Sequence, residues 1–363
     1  MKNITLFTIF ILSISPFCHG QNTYLYTQPK SLNDGWKTTN LQLQQVDTAL
    51  VYKMFNQIKT RQNEIHSVLL VKNNQLIIEE YFKGNSVNKT HDLRSVTKSI
   101  RSLLTGIAID NGFIESIDDP ISKYLQVVPN KNSDPRKDSI TIRHLLTMST
   151  GLDCNDWDKK SKGQEDKVHK KKDWIQYTLN LPMLYKPGTV SNYCSMGTIL
   201  LAEIVSKASG MTIDKFAEQY LFTPLGITNV SWGHTSNKEI IPSGQRLYMT
   251  SRDLAKIGQL ILNKGKWNEK QLISEKWIEE STLPKTKITA IDYGYLWWNI
   301  PFTVNEKVLV SKTATGNGGQ YIMVLPELDM VAVFTGGAYN SDEQMLPFSV
   351  VNDIFIPTFI HQK

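Results

Sequence analysis

The stretch Leu93-Arg94-Ser95-Val96-Thr97-Lys98-Ser99-Ile100-Arg101-Ser102-Leu103-Leu104-Thr105-Gly106-Ile107-Ala108 sets a serine and a lysine three residues apart at the head of an apolar run. Ile100, Leu103, Leu104, Ile107 and Ala108 recur at helical spacing and Gly112 supplies a stop, which predicts a buried helix over Ser95 to Asn111. Residues three apart on a helix share a face, with Cβ atoms about 5–6 Å apart, so Ser95 and Lys98 can share a proton. A serine hydroxyl is a weak nucleophile until a base takes its proton. A lysine held in a water-poor pocket can have its pKa lowered enough to serve. An ammonium without a task would be costly to bury at that place. The N–H groups at the helix start face negative charge developing on a substrate.

Outward from this helix the periodicity changes twice. Val46, Ala49, Leu50, Met54 and Ile58 predict an amphipathic helix within Leu43 to Ile65, and Ser67 to Phe82 reads as a hairpin about Lys72-Asn73-Asn74. From about 115 to 240 the patterns are mostly helical, at Thr141 to Thr150, Asp173 to Leu179, Thr198 to Ala208 and Thr212 to Leu221. Helices at Ser251 to Leu262 and Ser274 to Ser281 follow. Strand patterns return at Tyr293 to Ile300, Lys307 to Ser311, Gln320 to Leu325 and Met330 to Thr335, and 348–360 closes as a helix. The expected class is α+β: an antiparallel sheet flanked by helices, built from 43–114 and 241–363, with an inserted, mostly helical domain at 115–240.

Two further clusters carry chemistry. Pro187-Gly188-Thr189-Val190-Ser191-Asn192-Tyr193-Cys194-Ser195 leads from a turn into an apolar helix, and a tyrosine there either fills the loop-to-helix junction or, near an ammonium, relays a proton to a leaving group. Lys312-Thr313-Ala314-Thr315-Gly316-Asn317-Gly318-Gly319-Gln320 precedes an apolar run; its glycines let a strand edge approach a substrate and offer an N–H to an oxyanion, or simply make a hairpin turn.

In this order and at these separations, the three clusters resemble the serine β-lactamase and penicillin-binding-protein superfamily, in its class C-like branch with esterases and 6-aminohexanoate-dimer hydrolases. The resemblance spans roughly 45–355. It is supported by Ile117 to Tyr124, Ile140 to Leu152, Leu247 to Gly258 and Gly318 to Pro326. It implies a β-lactamase/transpeptidase-like fold, Ser95 as nucleophile, Lys98 as its activating neighbour and Tyr193 as the tyrosine of a Tyr-x-Asn motif in which Ser195 replaces asparagine. It also implies an oxyanion hole from the N–H of Ser95 and one from the third cluster. The family's Lys/His-Thr-Gly falls either on Thr313-Ala314-Thr315 or on Lys312-Thr313-Ala314. The second register makes Lys312 the partner of a substrate carboxylate. His234-Thr235 imitates His-Thr but precedes the final strands.

Composition is that of an ordinary globular chain: 363 residues, 40% hydrophobic and 20% charged. Residues 1–20 carry Lys2, an apolar run from Ile4 to Phe17 and Cys18-His19-Gly20, the pattern of a cleavable signal peptide. The run is too short for a membrane span, which needs about 20 residues. An exported, periplasmic or secreted protein is expected, with an N-terminal segment at 21–42. Loss of Lys2 takes the formal charge from +6 to +5, and most of the excess sits in Lys159 to Lys172, which reads as a solvated loop. With no aromatic interleaved there, nucleic acid is not an expected partner. Cys154 and Cys194 are expected to lie near one another, since one follows the loop ending at Leu152 and the other adjoins Tyr193. The seven histidines show no metal-ligand spacing, and no cofactor or metal is expected. The expected activity is hydrolysis of a small ester or amide through an acyl-enzyme on Ser95. The alternatives are a β-lactam or peptidoglycan-peptide substrate, or an inactive binding protein on the same fold.

Overall fold

The computed structural model describes residues 24–44, 48–60, 62–126, 128, 133–233 and 246–360. The expected signal peptide and His234-Thr235 lie outside them. Its organising element is a nine-stranded sheet. In chain order the strands are β1 (Lys37–Thr38), β2 (Ile65–Lys72), β3 (Gln75–Tyr81), β4 (Thr286–Ile288), β5 (Ile291–Tyr293), β6 (Trp298–Val304), β7 (Lys307–Gly316), β8 (Gln320–Leu325) and β9 (Met330–Gly336). Across the sheet they lie β1-β3-β2-β9-β8-β7-β6-β5-β4. Asn73 and Asn74, at φ 52° and 58°, make the tight β2–β3 turn in which both central residues are left-handed, a conformation asparagine tolerates.

The sheet is antiparallel except at one edge, where β1 runs parallel to β3. The sequence reading missed that strand, too short to show a period. Its connection to β3 passes through α1 (Thr48–Thr60) and β2, long enough to bring a parallel neighbour alongside. The central pairing is β2 with β9, Ser67 opposite Thr335 and Lys72 opposite Met330, so the two ends of the chain meet in mid-sheet.

Every residue of β8 and β9 is buried, the consequence of helices on both faces. One face is covered by α2 (Val96–Asp110) and α4 (Ser251–Leu262), with α3 (Ser195–Ser209) packed on α2 behind them, and this layer buries Ile100, Leu104, Leu200 and Leu254 with Ile322 and Val331. The other is covered by α1 and the C-terminal helical turns from Leu346 to Phe359, which bury Val51, Phe55 and Phe355 with Tyr321, Met323 and Phe334. No described residue between Asn111 and Arg246 joins the large sheet.

Three expected elements differ. Tyr293 to Ile300 is two strands, because the chain reverses at Gly294 to Trp297 with Leu296 at φ 65°, and the backbone N–H of Tyr295 bonds the Ser281 carbonyl at 2.8 Å. Thr141 to Thr150 forms only the short helix Ile142–Leu146, which Met148 at φ 55° ends. The strand expected at Lys307 to Ser311 continues to Gly316 and carries most of the third cluster into the sheet.

Helix α4 lies close on the sheet because Gly258 has no side chain: a Cβ there would sit 2.4 Å from Val331 Cγ1 and 2.8 Å from Ile322 Cγ2. Gly258→Ala is expected to destabilise by about 1–3 kcal/mol, a cost of overpacking that a urea titration measures.

Candidate active site

The entry to α2 sets the geometry. Arg94 stands at φ 51°, a left-handed conformation that costs a non-glycine residue of order 1 kcal/mol or more. It is held by its backbone N–H bonding Asp92 Oδ1 at 3.0 Å and by its guanidinium lying 4.7 Å over the Tyr339 ring. Ser95 caps the helix and is partly exposed into a cavity of about 1030 Å³, whereas Val96 and the residues behind it are buried. One turn on, Lys98 is 5% exposed and its Nζ donates to Ser95 Oγ at 2.8 Å.

Tyr193 arrives from the start of α3. The Lys98 ammonium lies 4.9 Å from the centre of its ring, and the ring is sandwiched between Trp157 at 5.0 Å and Trp298 at 5.9 Å. Such stacking fixes the ring plane and leaves the hydroxyl end to point. Ser195 is buried, and its backbone N–H and its hydroxyl both donate to Asp156 Oδ2, each at 2.7 Å.

The third cluster divides along its length. Thr315, Gly316 and Asn317 line the cavity with Ser95. Gly316 is required there, since a Cβ would fall 2.5 Å from the Leu93 carbonyl oxygen just before the Arg94–Ser95 turn. Thr313 is fully buried and bonds Ser311, while Gln320 clamps Gly336 through both ends of its amide and Gly318 and Gly319 shape the hairpin beside it. Lys312 does not line the cavity: its Nζ donates to Asn299 Oδ1 at 2.8 Å on the neighbouring strand, and burial lowers its pKa.

Several groups around Ser95 escaped the sequence reading. Asp156, whose carboxyl is pushed above the usual range by loss of solvent against the opposing pull of Lys98, closes the floor beneath Ser195. Arg101, fully buried behind Lys98, donates to Thr198 Oγ1 at 2.6 Å, and burial pushes it down to about 10. Glu165 and His169 come from the lysine-rich stretch, which is therefore not a solvated loop. Ser161 and Val168 are buried, and Lys167 Nζ donates to the Lys159 and Ser161 carbonyls, so the segment folds over the cavity as a wall. Burial holds the His169 imidazole below its ordinary pKa. The readable signal was Val168, a lone apolar residue among charges.

Cys154 and Cys194 form a disulfide, with Cα atoms 5.4 Å apart. It ties the Asp156–Trp157 loop to the residue after Tyr193, and the Asp156 N–H bonds the Tyr193 carbonyl at 2.8 Å in the same place.

The fold that carries this site has known counterparts. Residues 58–346 match the family model named Beta-lactamase. The chain belongs to the beta-lactamase family. This beta-lactamase-family chain is 24% identical to the 6-aminohexanoate-dimer hydrolase of Paenarthrobacter ureafaciens, over 73% of its own length and 70% of that protein's. Its fold is similar to that of a Bacillus anthracis protein described as a candidate 6-aminohexanoate-dimer hydrolase, with a TM-score of 0.69 at 19% identity over 95% and 92% of the two chains. It is also similar to that of a class C beta-lactamase, with a TM-score of 0.60 at 18% identity over 83% and 92%. The protein is thus a member of a beta-lactamase-fold hydrolase family. No helix among the described residues is long and apolar enough to cross a membrane.

Two outcomes follow from this geometry. Opening the disulfide releases a loop closed over a sequence separation of 40, so Cys154→Ser is expected to cost roughly 4 kcal/mol, read as a lower urea midpoint that reductant reproduces in the parent protein. Because the folded-state pKa of Asp156 is raised, the folded protein holds this proton more tightly than the unfolded chain. Its contribution to stability therefore falls as pH rises from the ordinary carboxylate range through the raised value. Asp156→Asn, which keeps an acceptor for Ser195, is expected to gain stability relative to the parent as pH rises from 4 to 7. A difference independent of pH in urea titrations would remove that assignment.

Proposed function

We propose that this protein is an exported serine hydrolase that cleaves an ester or amide through an acyl-enzyme on Ser95. The observation that carries the reading is the 2.8 Å contact of Lys98 Nζ with Ser95 Oγ at the edge of a large cavity. Ser95 Oγ attacks the substrate carbonyl carbon while its proton passes to the Lys98–Tyr193 pair, which accepts it in the form holding one proton fewer than ammonium plus phenol. The carbonyl oxygen becomes an oxyanion facing the Ser95 N–H at the helix start and the β7 end at Thr315 and Gly316. Collapse breaks the bond to the leaving alcohol or amine, which takes the proton from Tyr193. Water then adds to the acyl-enzyme, the same groups move its proton back to Ser95, and the acid is released. Asp156 supports this as a positioning residue, since it holds Ser195 and, through the backbone, Tyr193.

Ester or amide is favoured over a β-lactam because Lys312, the candidate for a carboxylate partner, is engaged by Asn299 away from the cavity. The relative named a 6-aminohexanoate-dimer hydrolase points the same way. Arg94 and Arg246 do line the cavity and offer a carboxylate another partner, so β-lactam turnover belongs in the test. Export is supported by the Cys154–Cys194 disulfide, which persists in oxidising compartments.

Steady-state hydrolysis of p-nitrophenyl butyrate, a short anilide and nitrocefin is expected to show turnover of the ester or anilide, falling by roughly a thousandfold or more in Ser95→Ala and in Lys98→Met. Fast nitrocefin turnover would transfer the protein to the β-lactam alternative. Ester hydrolysis that survives Ser95→Ala would remove Ser95 from the mechanism.

A further inference from the structure

The cavity is larger than a small ester requires, and its composition is uneven. At one end Ser95 stands among Arg94, Asp156, Glu165, His169 and Arg246. Away from it a run of hydrocarbon and aromatic side chains lines the wall. Trp298, Ile300 and Phe302 alternate along β6 and so share one face, and Trp298 already stacks on Tyr193. Phe302 lies 6.2 Å from Phe348 of the C-terminal helical turns, and Phe348 lies edge-on to Tyr321 at 4.8 Å, so the wall runs from the Trp298–Tyr193 stack towards these turns.

Several polar groups along this arm are already bonded within it, while Ser349 and the exposed Asp353 also line it. The Tyr321 hydroxyl donates to the Gln344 carbonyl at 2.9 Å, the Asn317 amide donates to Asn340 Oδ1 at 2.8 Å, and Asn352 donates to Asp353 at 2.7 Å. What this wall offers an occupant is ring and side-chain carbon interspersed with polar groups. Exposed large apolar side chains also line the cavity: Trp157, stacked on Tyr193, and Ile291 and Met345, at 56%, 39% and 52% exposure. Exposed apolar surface that leads into a concave site is a mark of ligand binding.

We infer that the Trp298–Ile300–Phe302–Phe348 wall is an arm of the active site that binds an extended apolar chain of the substrate, so that the preferred ester or amide is amphiphilic and not small. The inference rests on Ser95 being the nucleophile. The chain lies on either the acyl or the leaving-group side of the scissile bond; the chemistry the arm recognises is the same, and the experiment separates the two.

Two ester series test it: p-nitrophenyl esters from acetate to decanoate, which lengthen the acyl side, and acetate esters of ethanol to decanol, which lengthen the leaving side. In one of them kcat/KM is expected to rise at least about tenfold from the shortest to the longest member, a conservative expectation when each buried methylene contributes severalfold. In Ile300→Asp and in Met345→Asp, the second at an exposed position that leaves the core intact, the ratio of longest to shortest substrate is expected to fall at least about tenfold. Turnover of short esters with no chain dependence in either series would overturn the arm while leaving the hydrolase assignment standing. If no ester is turned over, calorimetric titration of the Ser95→Ala protein with decanamide decides independently. Binding with a negative heat-capacity change, absent with acetamide and lost in Met345→Asp, supports the arm even as the hydrolase assignment fails. No binding of decanamide overturns the arm.

Discussion

A lysine ammonium at the front of an apolar helix must be compensated, and most of the site can be understood as its compensation. Lys98 is nearly excluded from water, where an unpaired charge would be costly. Ser95 Oγ accepts one of its protons, the face of Tyr193 lies against it, and the Asp156 carboxylate pulls on it from below. Each of these groups comes from a different part of the chain. The charge therefore organises the helix start, the α3 start and the loop after Leu152 around one point, and removing it would leave the other three with no common reason for their positions.

The wall opposite the sheet shows how much of that organisation is covalent and local. The Asp156–Trp157 loop is joined to the Tyr193 segment by a disulfide, by a backbone hydrogen bond and by two hydrogen bonds from Ser195, so the tryptophan stacked on Tyr193 has little room to shift. The neighbouring lysine-rich segment folds inward on Val168 and lays Glu165 and His169 along the same cavity, while its lysines other than Lys167 are exposed. A surface that is strongly basic outside and mixed in charge inside is the result.

The fold was legible where one period persisted. Helices α2 and α4 and strands β8 and β9 fall within a residue or two of their expected limits, because each is long and buried on its predicted side. Legibility failed where tertiary contacts override local pattern. The reversal at Gly294 to Trp297 depends on a backbone bond to Ser281, and the edge strand Lys37–Thr38 depends on finding β3 alongside. At the site, Ser95, Lys98 and Tyr193 could be read because their spacing and apolar surroundings recur as motifs. Asp156, Glu165 and His169 could not, since a charged residue in a polar stretch looks the same whether it faces solvent or a cavity. The third cluster was readable as a strand edge near the site but not in its division. Only the pairing of Lys312 with Asn299 and the fit of Gly316 against Leu93 separate its sheet part from its cavity part.

The pairing of β2 with β9 carries a further consequence, for the order of events in folding. Strand β2 begins at Ile65 and its partner ends at Gly336, so a ribosome must deliver nearly the whole chain before the middle of the sheet can close. Until then the β2–β3 hairpin has an open edge lined by Val68, Leu69 and Leu70, and α2 has no sheet to cover it. Contacts this distant in sequence are slow to form, because loop entropy is lost before the contacts repay it. A chain held open for that long remains threadable, which suits passage through a narrow translocation pore. It also leaves the hairpin edge exposed to pairing with other chains, so slower synthesis or crowding would divert it to aggregates before any weakness of the finished fold was felt.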